Sequence, residues 1–186
     1  MPNNTLRIIG GKWRSRQLTL PDVAQVRPTP NRLRETLFNW LAADIVGANC
    51  LDAFAGSGAL GFEAASRGAS NVVLVDCNKR VCQQLENNKT ILKADNVQID
   101  KTDFLQQTLP AWQPFDIVFL DPPFNQGLLP ACLKKLLNNN LLAEQAWVYV
   151  ETEISLDKVD LPAKWQVCKQ KRAGDVFAAL LKLAPQ

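Results

Sequence analysis

Histidine does not occur among the 186 residues. Its absence removes Ser-His-Asp triads, Cys-His pairs, histidine-ligated metals and imidazole general bases from consideration. Paired cysteine motifs are missing too. Cys50, Cys77, Cys82, Cys132 and Cys168 are scattered, with no C-x-x-C spacing. They form neither a disulfide framework nor a zinc-ligand pattern and read as small buried thiols. Long apolar runs are also lacking, because Asp, Lys or Pro interrupts each one well short of the roughly 20 residues of a membrane helix. The opening MPNNTLRIIGGK has no signal-peptide core, so the expected compartment is the cytoplasm. What remains is a chain with 47% hydrophobic residues. That is enough for one domain with its own core over 1–186, with 1–45 as a basic appendage and 46–186 as the body.

Charge is unevenly placed. The net value is only +3, yet residues 1–34 hold seven bases (Arg7, Lys12, Arg14, Arg16, Arg27, Arg32 and Arg34) against Asp22 alone. The remainder holds 14 bases and 17 acids. A basic arm on a mildly acidic body predicts a polyanionic partner, a nucleic acid above all.

Two short apolar runs, Leu6–Ile9 and Gln17–Leu20, flank Gly10-Gly11 and read as a hairpin. Thr29 is placed to cap a helix with Pro30 at its first position. Leu33, Leu37, Trp40 and Leu41 then share one face, with Arg32, Arg34 and Glu35 directed away from it. From residue 49 strands and helices alternate. Strands are expected at Cys50–Phe54, Asn71–Val75, Val97–Ile99, Phe115–Leu120 and Trp147–Val150. Helices are expected at Ala59–Arg67, Asn78–Lys93 and Leu128–Leu136. Trp165–Lys169 and Val176–Leu183 close the chain as a hairpin around Ala173-Gly174-Asp175. The fold class is therefore α/β, a parallel sheet covered on both faces and closed by an antiparallel C-terminal hairpin.

The run Leu51-Asp52-Ala53-Phe54-Ala55-Gly56-Ser57-Gly58-Ala59-Leu60-Gly61 leads from a strand into a helix. Gly56 and Gly58 permit a tight turn and close backbone approach to a ligand. Asp76, at the end of the next strand, is placed to accept both hydroxyls of a ribose. Gly56, Gly58 and Gly61 also fit the G-x-G-x-x-G of dinucleotide sites, a weak signal alone. Asp52 separates the two readings. Its carboxylate would repel a pyrophosphate but suits a cofactor carrying an ammonium and a sulfonium, which favours S-adenosylmethionine. Asp103 and Phe104, after the third strand, suit an adenine amino group and ring. Asp103 serves equally as the cap of a helix beginning at Phe104.

Asp121-Pro122-Pro123-Phe124 follows the fourth strand, at the edge where open α/β sheets bind ligands. Consecutive prolines fix the backbone and offer no N–H, leaving acceptors. The Asp121 carboxylate and the Pro122 carbonyl are able to hold both hydrogens of an amino group on an aromatic ring. Phe124 supplies a stacking face. This chemistry is positioning and electrostatics, with no metal and no histidine. A base in a structured nucleic acid must leave its stack to reach such a site.

Asp121–Phe124 resembles the [DNS]-P-P-[YF] signature of amino-nitrogen methyltransferases, and Leu51–Gly61 resembles their cofactor loop. Arg7-Ile8-Ile9-Gly10-Gly11, Arg27-Pro28-Thr29-Pro30-Asn31-Arg32-Leu33-Arg34-Glu35 and Leu60-Gly61-Phe62-Glu63-Ala64-Ala65-Ser66-Arg67-Gly68-Ala69 narrow the likeness. They resemble the bacterial small-subunit rRNA guanine-N2 methyltransferase family RsmD. The resemblance implies a Rossmann-like class I methyltransferase with a seven-stranded, mostly parallel sheet and an N-terminal hairpin and helix. It implies methyl transfer to N2 of one guanine of 16S rRNA, position 966 in rRNA numbering, in the small ribosomal subunit, by a monomer. By the same likeness Asp121, Pro122, Pro123 and Phe124 hold the guanine amine. Asp52, Phe54, Gly56, Gly58, Asp76, Asp103 and Phe104 line the cofactor, with Arg27 and Thr29 closing over it. Arg7, Lys12, Arg14, Arg16, Arg32 and Arg34 grip RNA. Phe124, Asp76 and Ala53 depart from the commoner Tyr, Glu and larger apolar residue, which puts in doubt a hydroxyl and the length of the ribose contact. Two rivals stand beside this reading: an adenine-N6 methyltransferase on RNA or DNA, and a non-catalytic RNA-binding assembly factor.

Overall fold

Phe115–Leu120 forms β6, with Phe115 and Ile117 to Leu120 all buried, because a strand inside a parallel sheet has helices or loops on both faces. The structure is a computed structural model describing residues 5–23, 29–107 and 113–184. In chain order the other strands are β1 (Thr5–Arg7), β2 (Gln17–Thr19), β3 (Asn49–Asp52), β4 (Asn71–Val75), β5 (Val97–Asp100), β7 (Leu142–Thr152), β8 (Trp165–Ala173) and β9 (Val176–Leu183). The helices are α1 (Asn31–Trp40), α2 (Ala59–Ser66), α3 (Lys79–Leu92) and α4 (Leu129–Asn138).

β1 and β2 pair antiparallel as the expected hairpin. The remaining seven strands form one sheet in the order β5-β4-β3-β6-β7-β9-β8. The first five of that order run parallel, and β9 and β8 add antiparallel. The chain winds outward from β3 to β5, then restarts at β6 on the other side of β3. That reversal opens a crevice at the carboxyl ends of β3 and β6.

One face of the sheet packs Phe119 and Tyr149 beneath Leu33, Leu37 and Phe38 of α1, Phe62 of α2 and Leu85 of α3. The other packs Val118, Leu120 and Val148 beneath Leu133 and Leu136 of α4, with Phe104 and Trp165. Cys50, Cys82 and Cys132 are buried as expected, whereas Cys77 and Cys168 are exposed.

Three local expectations are corrected. Helix α1 begins one residue later, with Pro30 as its cap and no side-chain capping bond. Thr29 instead turns inward and is buried. Arg34, expected on the outer face, is fully buried against Glu63 of α2, so it cannot grip RNA from there. No helix starts at Phe104: residues 104–106 make a single turn. Among the described residues no helix is long and apolar enough to cross a membrane.

Candidate active site

The glycine loop is built by hydrogen bonds from its own backbone. Asp52, at the end of β3, is buried, and its Oδ2 accepts from the Gly61 N–H at 3.0 Å. That bond ties the start of α2 to the strand beneath it. Gly58 caps α2 in the left-handed region at φ +76°, and a Cβ there would lie 2.6 Å from the Phe62 ring. Both facts demand glycine. Asp76, just past β4, accepts from Gly56 N–H at 3.0 Å and from Asn78 N–H at 2.8 Å. It remains half-buried, with its carboxylate at the loop.

Phe54 is half-buried beside the loop. Phe104, expected to face a cofactor ring, is buried behind it, edge-on at a centroid distance of 5.7 Å. It supports Phe54 and has no open face of its own. Asp103 holds the single turn after it in place of the expected helix, accepting from Leu105 N–H and Gln106 N–H at 3.0 Å each. Arg27 lies outside the described residues.

Across the crevice, Asp121 follows β6. Pro122 is buried, while Pro123 and Phe124 are exposed. Among the described residues nothing donates a hydrogen bond to the Asp121 carboxylate or to the Pro122 carbonyl. Among the described residues, therefore, two acceptors without a donor lie together at the mouth of the crevice, beside an exposed aromatic ring.

Glu151 is the neighbour that the sequence did not announce. In the parallel ladder Leu120 pairs with Val150, so the next residues, Asp121 and Glu151, lie side by side on one face. Glu151 is buried; it accepts from the Tyr149 hydroxyl at 3.0 Å and from the Thr29 hydroxyl. Thr29 thus touches the site through Glu151. The available signal was an acid directly after the apolar run Trp147–Val150, at the same sheet edge as Asp121.

Three carboxylates consequently converge, on β3, after β6 and on β7. Burial pushes Asp52 up to about 7, with smaller contributions from Asp76 and Glu151. Burial, then Glu151 and Asp52, raises Asp121 well above the usual carboxylate range. Burial also raises Glu151, against the hydrogen bonds from Thr29 and Tyr149. Among the described residues no cation offsets any of the three. A pocket of this character is complementary to a cationic ligand and repels an anionic one.

The basic arm reaches the site through α2. Glu63 is fully buried and accepts from Ile9 N–H and Gly10 N–H at 2.8 Å each, and from Arg67 Nε at 2.7 Å. Arg34 Nη1 lies 3.7 Å away. Gly11 sits at φ +74°, where a Cβ would collide with the Ser66 carbonyl at 1.9 Å. Arg7, Lys12, Arg14, Arg16 and Arg32 are exposed; Lys12 rests on Trp13, and Arg16 donates to the Ile91 carbonyl.

A family model described as "Conserved hypothetical protein 95" matches residues 6–182. The "Ribosomal RNA small subunit methyltransferase D" of Escherichia coli (strain K12) is 47% identical over 181 residues, covering 97% of this chain and 91% of that protein. The protein of the same description from Haemophilus influenzae is 44% identical over 92% of this chain and 90% of its own length. The solved structure of yhhF from Escherichia coli superposes with a TM-score of 0.85 at 46% identity, covering 98% of this chain and 99% of that one. The architecture is that of a Rossmann-like class I methyltransferase.

Proposed function

We propose that this chain, which belongs to the Conserved hypothetical protein 95 family together with the ribosomal RNA small subunit methyltransferases D, methylates the exocyclic N2 of one guanine in small-subunit rRNA. The observation that carries the reading is the pair of free acceptors, the Asp121 carboxylate and the Pro122 carbonyl, next to the exposed Phe124.

S-adenosylmethionine fits this cluster of carboxylates by its charge, and when bound it supplies an electrophilic methyl group on a sulfonium. Asp76, Phe54 and the Gly56–Gly58 backbone would hold its adenosine part, and Asp52 stabilises the loop beneath. A pyrophosphate cofactor meets the wrong sign of charge here.

The residues act on the amine by orientation. An amino group on guanine is a poor nucleophile, because its lone pair is delocalised into the ring. Asp121 and Pro122 accept its two N–H groups and direct the lone pair toward the cofactor side of the crevice. As the nitrogen is alkylated it gains positive charge and its hydrogens become more acidic, and the Asp121 carboxylate stabilises that charge and is placed to accept the proton released. Phe124 stacks on the flipped base, a contact worth about 1–3 kcal/mol. The exposed cations of the arm hold the flanking phosphates.

Labelled S-adenosylmethionine and small subunits from cells lacking the modification test the reading. Label is expected on N2 of one guanine. Asp121→Asn is expected to reduce transfer at least a hundredfold while cofactor affinity persists. Label on adenine N6 corrects the target base. Cofactor and RNA binding without any transfer instead supports the assembly-factor reading.

A further inference from the structure

The last half of β8 is a cationic surface that the basic arm does not explain. β8 is the sheet's edge strand, and Gln166 through Arg172 are all exposed. It carries Lys169, Lys171 and Arg172 and no acid. Among the described residues none of the three has an ion-pair partner.

The sheet register brings this surface to the active-site edge. Lys171 pairs with Ala178 on β9, and Ala178 pairs with Glu151 on β7. Glu151 lies beside Asp121. Three strand spacings, roughly 15 Å, therefore separate Lys171 from Asp121. The turn after β8 opens toward the same edge, because β9 runs antiparallel to β7.

A cleft of about 430 Å³ lies here, lined by Ser155, Gln170, Lys171, Arg172 and Phe177 among others. Arg172 is held in place on it. Its Nε donates to the Gly174 carbonyl at 2.9 Å, and its guanidinium lies 5.0 Å from the Phe177 ring centroid. The outer face of that guanidinium and its terminal nitrogens stay available. Such a set offers a stacking plane, a lysine and hydrogen-bonding side chains at once, which suits one nucleotide of a single strand.

Lysines often blunt an exposed sheet edge against pairing with other chains. That need is met by charge anywhere along the strand. Here Gln166, Val167 and Cys168 leave the far half uncharged, and the cations gather beside the cleft.

We infer that the cleft between Ser155 and the β8–β9 turn is a second RNA subsite, in which Lys171 and Arg172 bind the phosphate and base of a nucleotide a few positions from the target. The inference rests on the RNA methyltransferase reading. It gives the substrate two grips, the N-terminal arm and the C-terminal hairpin, with the target base drawn into the crevice between them.

The test compares wild type, Lys171→Gln/Arg172→Gln and Arg14→Gln/Arg16→Gln in methylation of unmodified small subunits at several salt concentrations. For the β8 double variant, KM is expected to rise at least tenfold with kcat within about twofold. The plot of log KM against log salt is expected to flatten by roughly 0.7, the loss of one phosphate contact on a single strand. Cofactor affinity by calorimetry is expected to stay unchanged. Lys171→Gln alone, at an exposed position, should show the same change in slope with a smaller rise in KM, and guards against misfolding of the double variant. A wild-type KM and slope in both β8 variants, with the arm variant impaired, overturns the subsite and leaves the proposed function standing. A wild-type protein that methylates no RNA overturns both.

Discussion

The Thr29 hydroxyl donates to Glu151, and Glu151 stands beside Asp121 across the β6–β7 ladder. A residue at the entrance to α1 is thereby joined to the acceptor pair through one buried carboxylate. Thr29→Val keeps the shape and removes the donor. It is expected to lower stability by about 1–3 kcal/mol, the cost of an underbonded buried group. Urea unfolding checks the value.

Glu151→Gln keeps an acceptor for Tyr149 and Thr29 but removes a negative charge next to Asp121. Asp121 accepts an amine hydrogen best when ionised, so activity is expected to rise with pH as it deprotonates. Without the like charge its pKa falls, and the acidic limb of kcat/KM is expected to move to lower pH. A limb at its wild-type position would show that Glu151 does not tune Asp121.

Asp52 gives a pH-dependent stability with a definite sign. Burial raises it to about 7 in the folded protein. Between its unfolded pKa near 4 and that value the folded state binds the extra proton, so stability from this group falls as pH rises. Asp52→Asn keeps an oxygen for the Gly61 N–H and cannot ionise. Thermal unfolding without cofactor is expected to show similar Tm changes near pH 4 and a variant that gains on wild type by pH 8. A Tm difference independent of pH would contradict the assignment.

Glu63→Ala removes four interactions from one buried carboxylate and leaves Arg34 unpaired in the core. A loss of about 3–5 kcal/mol is expected. Amide exchange at Ile9 and Gly10, whose N–H groups Glu63 holds, should accelerate in the same variant.

Phe124→Ala is expected to raise KM for RNA about 5- to 150-fold, the equivalent of losing about 1–3 kcal/mol of stacking. The exposed ring carries no core packing, so Tm should hardly change.

Much of this was legible from residue order. The apolar run Phe115–Leu120 and the β-branched run Asn71–Val75 became strands with those bounds. The glycine turn and Asp121–Phe124 fell at neighbouring strand ends, because alternation of strand and helix dictates a crevice there. Arg34 defeated the periodicity argument. A cation three residues from Leu37 looks solvated until its partner Glu63, distant in sequence, is brought beneath it. Thr29 misled through local capping rules, which do not know that Glu151 waits as an acceptor. Cross-strand register also placed Lys171 level with Glu151, a relation no one-dimensional spacing encodes.

Helix α2 has only eight residues, about 12 Å of rise. Its first turn is tied to Asp52 at Gly61, and Glu63 and Ser66 farther along hold the backbone of Ile9, Gly10 and Trp13. The glycine loop and the basic N-terminal arm are therefore fastened to opposite ends of one short rigid rod. Their spacing behaves as a fixed ruler: substitutions in either half must preserve the seating of the other.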